Sequence, residues 1–235
     1  MPRPQLHGTS TVVNIAVTAV GSAAYAIGGG VIDLRYGGGM IVGGVLGGFY
    51  GARYVARIPE NVLRILFLLI LSLTSLKLYA TAAGVDPFAG SAALPPAALH
   101  NPWTTVPITF VAGVLIGAWA GALGLGGGLL SVPALVLLFV VELHTAEGTS
   151  LLMFPNAIAG SIVHLRQGTA RPRLALLLNL GAIPGAVAGA LIGLSLNETA
   201  LGVIFGTLTL TMALREIANL VRSRPTRPHP GPDAG

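Results

Sequence analysis

Apolar residues run along this chain in long blocks, without the alternation of a half-exposed strand. No Asp, Glu, Lys or Arg interrupts Pro4–Ile32, Tyr36–Ala52, Pro87–Val141 or Leu174–Asn197. A helix needs about 20 apolar residues to cross a hydrocarbon core, whereas a barrel strand needs about 10 in strict alternation. The blocks fit the helix. They predict eight helical elements, at about 10–30, 37–56, 61–81, 104–123, 127–142, 148–165, 174–194 and 198–220. The fifth is short for a full span and reads as tilted or re-entrant. The expected fold class is an all-α integral membrane protein.

Composition agrees. The chain is 53% hydrophobic and 9% charged, where a soluble domain carries about 25% charged residues. Mean hydropathy is +0.80. The net charge of +5 could suggest nucleic acid, but no basic aromatic module accompanies it. The arginines cluster instead at 53/57/64, 166/171/173 and 215/222/224/227. Those are the positions of cytoplasmic loops and a cytoplasmic tail. Residues 1–8 are polar and do not read as a cleavable leader. Eight alternating crossings then put both termini inside a plasma membrane, with the loop 82–103 and the turns at Glu142/Glu147 and Glu198 outside. With no cysteine, Cys-ligated metals and disulfides are excluded. No cofactor is expected.

The chain repeats itself. Gly43–Phe67 aligns without gaps on Gly181–Phe205, with Gly43/Gly181, Gly47/Gly185, Gly51/Gly189, Glu60/Glu198 and Phe67/Phe205 identical. Gly8-Thr9-Ser10 matches Gly148-Thr149-Ser150. One copy starts inside and the other outside, so the two repeats are inverted, an arrangement common among secondary transporters. Glycines four apart permit close helix packing and are read as structural. The expected organisation is a first repeat over 1–81, an external Pro-rich loop over 82–103, a second repeat over 104–220 and a disordered tail over 221–235. The first repeat has no counterpart to the helices that open the second, so it reads as N-terminally incomplete.

The second repeat contains Gly124-Leu125-Gly126-Gly127-Gly128-Leu129-Leu130-Ser131-Val132-Pro133. Glycine weakens a helix and an interior proline removes a hydrogen bond. Broken helix at membrane depth is tolerated only inside protein or against a water-filled cavity. The stretch therefore points to a solute site.

These features together resemble the TauE/SafE family of sulfite exporters. The resemblance rests on Gly124-x-Gly126-Gly127-Gly128 followed by Pro133 and Leu135, and on Glu147-Gly148-Thr149-Ser150. It also rests on Gly181–Ala186 leading to Asn197-Glu198-x-x-Leu201, and on Arg57-Ile58-Pro59-Glu60 in the first copy. It covers about residues 7–220. It implies a transporter, expected as an exporter, of small sulfur-containing or organic anions such as sulfite or sulfonates, working without ATP and with a proton gradient as a candidate driver.

An anion needs donors, and a half-helix N-terminus supplies oriented N–H groups. The candidate binding residues are Gly124, Gly126, Gly127, Gly128, Ser131, Thr149, Ser150, Asn156, Thr9 and Ser10, with Pro133 shaping the kink. The two Gly-Thr-Ser triplets also read as helix starts, where Ser and Thr cap. Asn156 competes between solute and a helix–helix hydrogen bond. Lys77 reads as snorkelling to the interface. No acidic residue falls mid-span, so no buried carboxylate relay is expected.

Enzyme readings fail. The sixth position of a dinucleotide fingerprint is Leu129, and a P-loop would need a Lys followed by Ser or Thr. Ser161 and His164 share one helix without a recognisable oxyanion hole. The expected partners are a small anion and the lipid bilayer, with a homo-oligomer left open. The alternatives are a passive anion channel and a non-transporting fragment of a carrier.

Overall fold

The computed structural model describes residues 3–51, 59–85, 101–123 and 128–222. Nine α-helices follow one another among them: α1 (Arg3–Ile27), α2 (Leu34–Leu46), α3 (Glu60–Ala82), α4 (Pro102–Leu123), α5 (Gly128–Leu138), α6 (Leu143–Leu151), α7 (Phe154–Arg166), α8 (Pro172–Ser195) and α9 (Glu198–Arg222). A π-helical turn, Gly47–Gly51, extends α2. The all-α class expected from the apolar blocks is what the chain adopts. Five helices are long and apolar enough to cross a membrane, namely α1, α3, α4, α8 and α9. This is a multi-pass membrane protein. Most of the predicted loop 82–103 and nearly all of the predicted tail 221–235 lie outside the described residues.

The helix expected over 148–165 is two helices. α6 stops at Leu151 and α7 starts at Phe154, with Pro155 in its first turn, where a missing N–H costs nothing. The start of α6 also lies further upstream than expected. The Glu198 carboxylate accepts the Leu143 N–H at 2.6 Å, satisfying a donor that a helix start otherwise leaves free. As a result Gly148-Thr149-Ser150 sits late in α6, and Gly8-Thr9-Ser10 sits inside α1. Neither triplet starts a helix.

The triplets do something else, and they do it reciprocally. Thr149 Oγ1 accepts the backbone N–H of Asp33, the N-cap of α2, at 3.0 Å. Thr9 Oγ1 accepts the backbone N–H of Arg171, the N-cap of α8, at 3.2 Å. The offset that aligns Gly43 with Gly181 also aligns Asp33 with Arg171 and Val31 with Thr169. The glycines obey the same rule. A Cβ on Gly148 would overlap the Val31 carbonyl, and one on Gly8 would overlap the Thr169 carbonyl. Each copy clamps the loop entering the second helix of the other.

α2 and α4 are held together by glycine. A Cβ on Gly39 would overlap Thr109, and Cβ atoms on Gly43 and Gly47 would overlap the carbonyls of Phe110 and Val114. From α4, Gly113 and Gly117 press on the backbone of Met40 and Gly44. Small residues on both faces let the two backbones touch. The matching glycines of α8 do not behave this way. Cβ atoms on Gly181, Gly185 and Gly189 would meet nothing within 4 Å. The packing role expected of them is absent among the described residues, because α8 packs chiefly on α1 and turns Gly189 to a cavity.

α5 lies at the centre. Leu130, Val132, Leu135 and Val136 are all buried, as a helix apolar on every side must be. Its eleven described residues cover about 16 Å. It runs through Pro133 as helix. Around it Phe139 packs against Tyr36, and Trp119 meets Phe67 edge-on.

Candidate functional site

A cavity of about 340 Å³ opens between α1, α5, α6, α8 and α9. Its walls are mostly apolar, with Val17, Val132, Leu151 and Phe205 among them. Its polar elements are few: Gly128 at the first turn of α5, Ser150 and Glu147 on α6, and Tyr25 on α1. Apolar walls with a small number of convergent polar groups are the usual form of a solute site.

Two of the residues singled out in the sequence meet at this cavity, Gly128 and Ser150. Gly128 is backed by open space, since a Cβ there would touch nothing within 4 Å. Ser150 is buried, and its hydroxyl donates to the Glu147 carbonyl at 2.8 Å. That commits its proton and leaves the oxygen as an acceptor. Among the described residues, Gly128 of α5 brings backbone to this wall of the cavity.

The other candidates stand elsewhere. Gly124, Gly126 and Gly127 lie outside the described residues. Ser131 and Pro133 are buried in the body of α5, and neither lines the cavity. Thr149 and Thr9 are engaged in the reciprocal clamp. Ser10 is exposed on α1. Asn156 is 3% exposed and packs against α2, where its Oδ1 lies 2.6 Å from the position of a Cβ on Gly48. The geometry gives Asn156 a helix-packing position.

Glu147 is the main departure from expectation. The sequence alone places it in an outer turn, with no carboxylate near the solute path. Because α6 starts at Leu143, Glu147 lies on helix and faces the cavity. Its Oε2 is 3.6 Å from where a Cβ on Gly193 of α8 would sit. A signal was present: Glu147 and Ser150 are three apart, which is one helix face once the helix starts early enough.

Beside it lies a small polar network. His144 Nδ1 pairs with the Glu198 carboxylate, and His144 Nε2 lies 3.1 Å from the Leu196 carbonyl. Both ring nitrogens face acceptors, and only the imidazolium donates from both. Burial disfavours that cation, but the hydrogen bond and charge of Glu198, with Glu147 behind it, outweigh burial and raise the His144 pKa. Tyr25 closes the group by donating its hydroxyl to the His144 carbonyl at 2.6 Å.

Lys77 does not reach out to the interface. It is 5% exposed, and its ammonium donates to the Val136 carbonyl in the last turn of α5. α5 ends there because Val140 turns to φ 52, so the last-turn carbonyls lose helical partners. A cation at that negative end is favourable.

Known proteins bear on this arrangement. The family described as sulfite exporter TauE/SafE matches residues 1–78 and 109–234. A probable membrane transporter protein of Bacillus subtilis, YunE, is 33% identical over 117 residues, which is 49% of this chain and 38% of that protein. A probable membrane transporter protein of Xylella fastidiosa is 35% identical over 126 residues, 52% of this chain and 46% of the relative. The chain thus spans less than half the length of these curated relatives. No solved structure matches it. With the family matched over both halves of the sequence, the chain belongs to the sulfite exporter TauE/SafE family.

Proposed function

We propose that the chain acts as a secondary transporter, an exporter of small sulfur-containing or organic anions such as sulfite or sulfonates. The solute is held in the cavity between α1, α5, α6, α8 and α9. The observation that carries this reading is the opening of the α5 N-terminus, at Gly128, onto a largely apolar cavity. First-turn N–H groups lack helical partners and carry the positive end of the helix dipole, so a small anion satisfies both. The reciprocal threonine clamps support two inverted copies, the architecture secondary transporters use. The Arg-bearing segments at 53–64 and 166–173 support an orientation with both termini in the cytoplasm.

The test uses the purified chain in liposomes, with radiolabelled sulfite or methanesulfonate exchanged across the bilayer. Gly128→Leu fills the cavity mouth where the fold leaves room for a side chain. Exchange by the wild type and loss of exchange in Gly128→Leu, at unchanged thermal stability, are expected. Full exchange in the variant would remove the site, and no exchange by the wild type would remove the reading.

A further inference from the structure

Anion binding at this cavity meets an obstacle on its own wall. Glu147 lines the same 340 Å³ space as Gly128. An anion and a carboxylate that share one cavity between largely apolar walls repel each other. Among the described residues, no Lys, Arg or His lines the cavity. The charged and titratable groups around Glu147 do not cancel its charge. On its own helix, His144 is spent on Glu198 of α9. α1 brings Tyr25, which donates to the His144 carbonyl. α2 brings Asp33 and Arg35 to the far side of Thr149. α5 has no ionisable residue, and α8 has only Arg173 in its first turn.

Two like charges sharing one site do not both stay ionised; one takes a proton. We infer that Glu147 is the proton-binding group of this cavity, so that a small anion enters together with one proton. The inference rests on the transporter reading above. The step balances simply. The carboxylate oxygen of Glu147 takes a proton from water as the anion binds and returns it as the anion leaves. Anion plus proton carry no net charge, so the cavity holds one negative charge fewer than it would with both ionised. Linkage is reciprocal: a proton on Glu147 strengthens anion binding, and a bound anion strengthens proton binding.

The tyrosine and the His144–Glu198 pair give this proton a nearby polar neighbourhood. Tyr25, which lines the cavity, hydrogen-bonds through its hydroxyl to the backbone of the residue whose ring holds Glu198. Glu198 and Leu196 belong to the turn between α8 and α9, where Glu198 is exposed. These polar groups lie at the end of the molecule where Glu198 is exposed.

The experiment measures protons and anions together on the full chain in lipid nanodiscs. Methanesulfonate is the first probe, because it stays ionised throughout and any proton taken up belongs to the protein. In weakly buffered solution with a pH indicator, above the pKa of Glu147 in the empty cavity, about one proton per bound methanesulfonate is expected and the affinity falls about tenfold per pH unit. Glu147→Gln keeps the size and removes the titration, so its affinity is expected to be flat with pH. Binding by the wild type without proton uptake in that pH range overturns the inference, as does an unchanged pH slope in Glu147→Gln. Where only sulfite binds, the comparison of slopes between wild type and Glu147→Gln decides in the same way. Where neither anion binds, the transporter reading itself falls and takes the inference with it. The wild-type proton count stands even if the variant does not fold.

Discussion

Thr149 accepts the backbone N–H of Asp33 at 3.0 Å, and the two residues come from opposite copies of the internal repeat. Thr149 is 1% exposed, so the Asp33 N–H has no water to turn to on that side. Thr149→Val is expected to cost about 1–3 kcal/mol, the range for orphaning a buried polar group. Thr149→Ser keeps the acceptor and is expected to cost far less. Thr9→Val is expected to follow the same pattern at the Arg171 loop. Thermal melting of the detergent-solubilised protein compares the three variants with the wild type.

The glycines of α2 and α8 carry the same spacing and predict opposite outcomes. In Gly43→Ala the new methyl overlaps the Phe110 carbonyl, and α2 and α4 must separate. Overpacking of this kind costs about 1–3 kcal/mol. Gly185→Ala meets open space and is expected to be neutral or slightly stabilising, since alanine favours helix by about 1 kcal/mol. Equal losses in both would refute the asymmetry.

His144 makes the α6–α9 junction sensitive to pH. Its folded pKa is raised, so the pair with Glu198 contributes fully below the unfolded histidine value of about 6.5. That contribution is lost as pH rises through the raised folded value. Melting temperature is expected to fall over that window in the wild type. His144→Gln should flatten this part of the profile, and a wild-type slope in the variant would show that another group is responsible.

Lys77→Met keeps most of the apolar stem and removes the cap on α5. The Val136 carbonyl then loses its donor, and a loss of about 1–3 kcal/mol is expected. Had Lys77 reached the interface, the substitution would be nearly silent, so the melting curve separates the two positions.

Much of this architecture is visible in the sequence. The uninterrupted apolar blocks announce the spanning helices, and the glycine repeats announce a close seam between helices. The short run after Gly124 announces a central half-helix. What stays hidden shares one cause: it depends on a partner far away in sequence. Nothing beside Leu143 says that Glu198 will cap it and start α6 early. Without that start, Glu147 looks like an outer-turn residue and Thr149 like a cap. Lys77 at the end of an apolar run looks the same whether it reaches water or a carbonyl. The break before Phe154 had a local sign in Pro155, but the surrounding Leu-Leu-Met-Phe run reads as continuous span.

The seam between α2 and α4 has a mechanical meaning. Side chains that interdigitate can switch rotamers and let two helices slide. Here backbone rests on backbone through Gly43, Gly47, Gly113 and Gly117, and those contacts have no rotamers to switch. The two helices form a single stiff girder. Bending is then left to the parts around that girder, as at the break between Leu151 and Phe154.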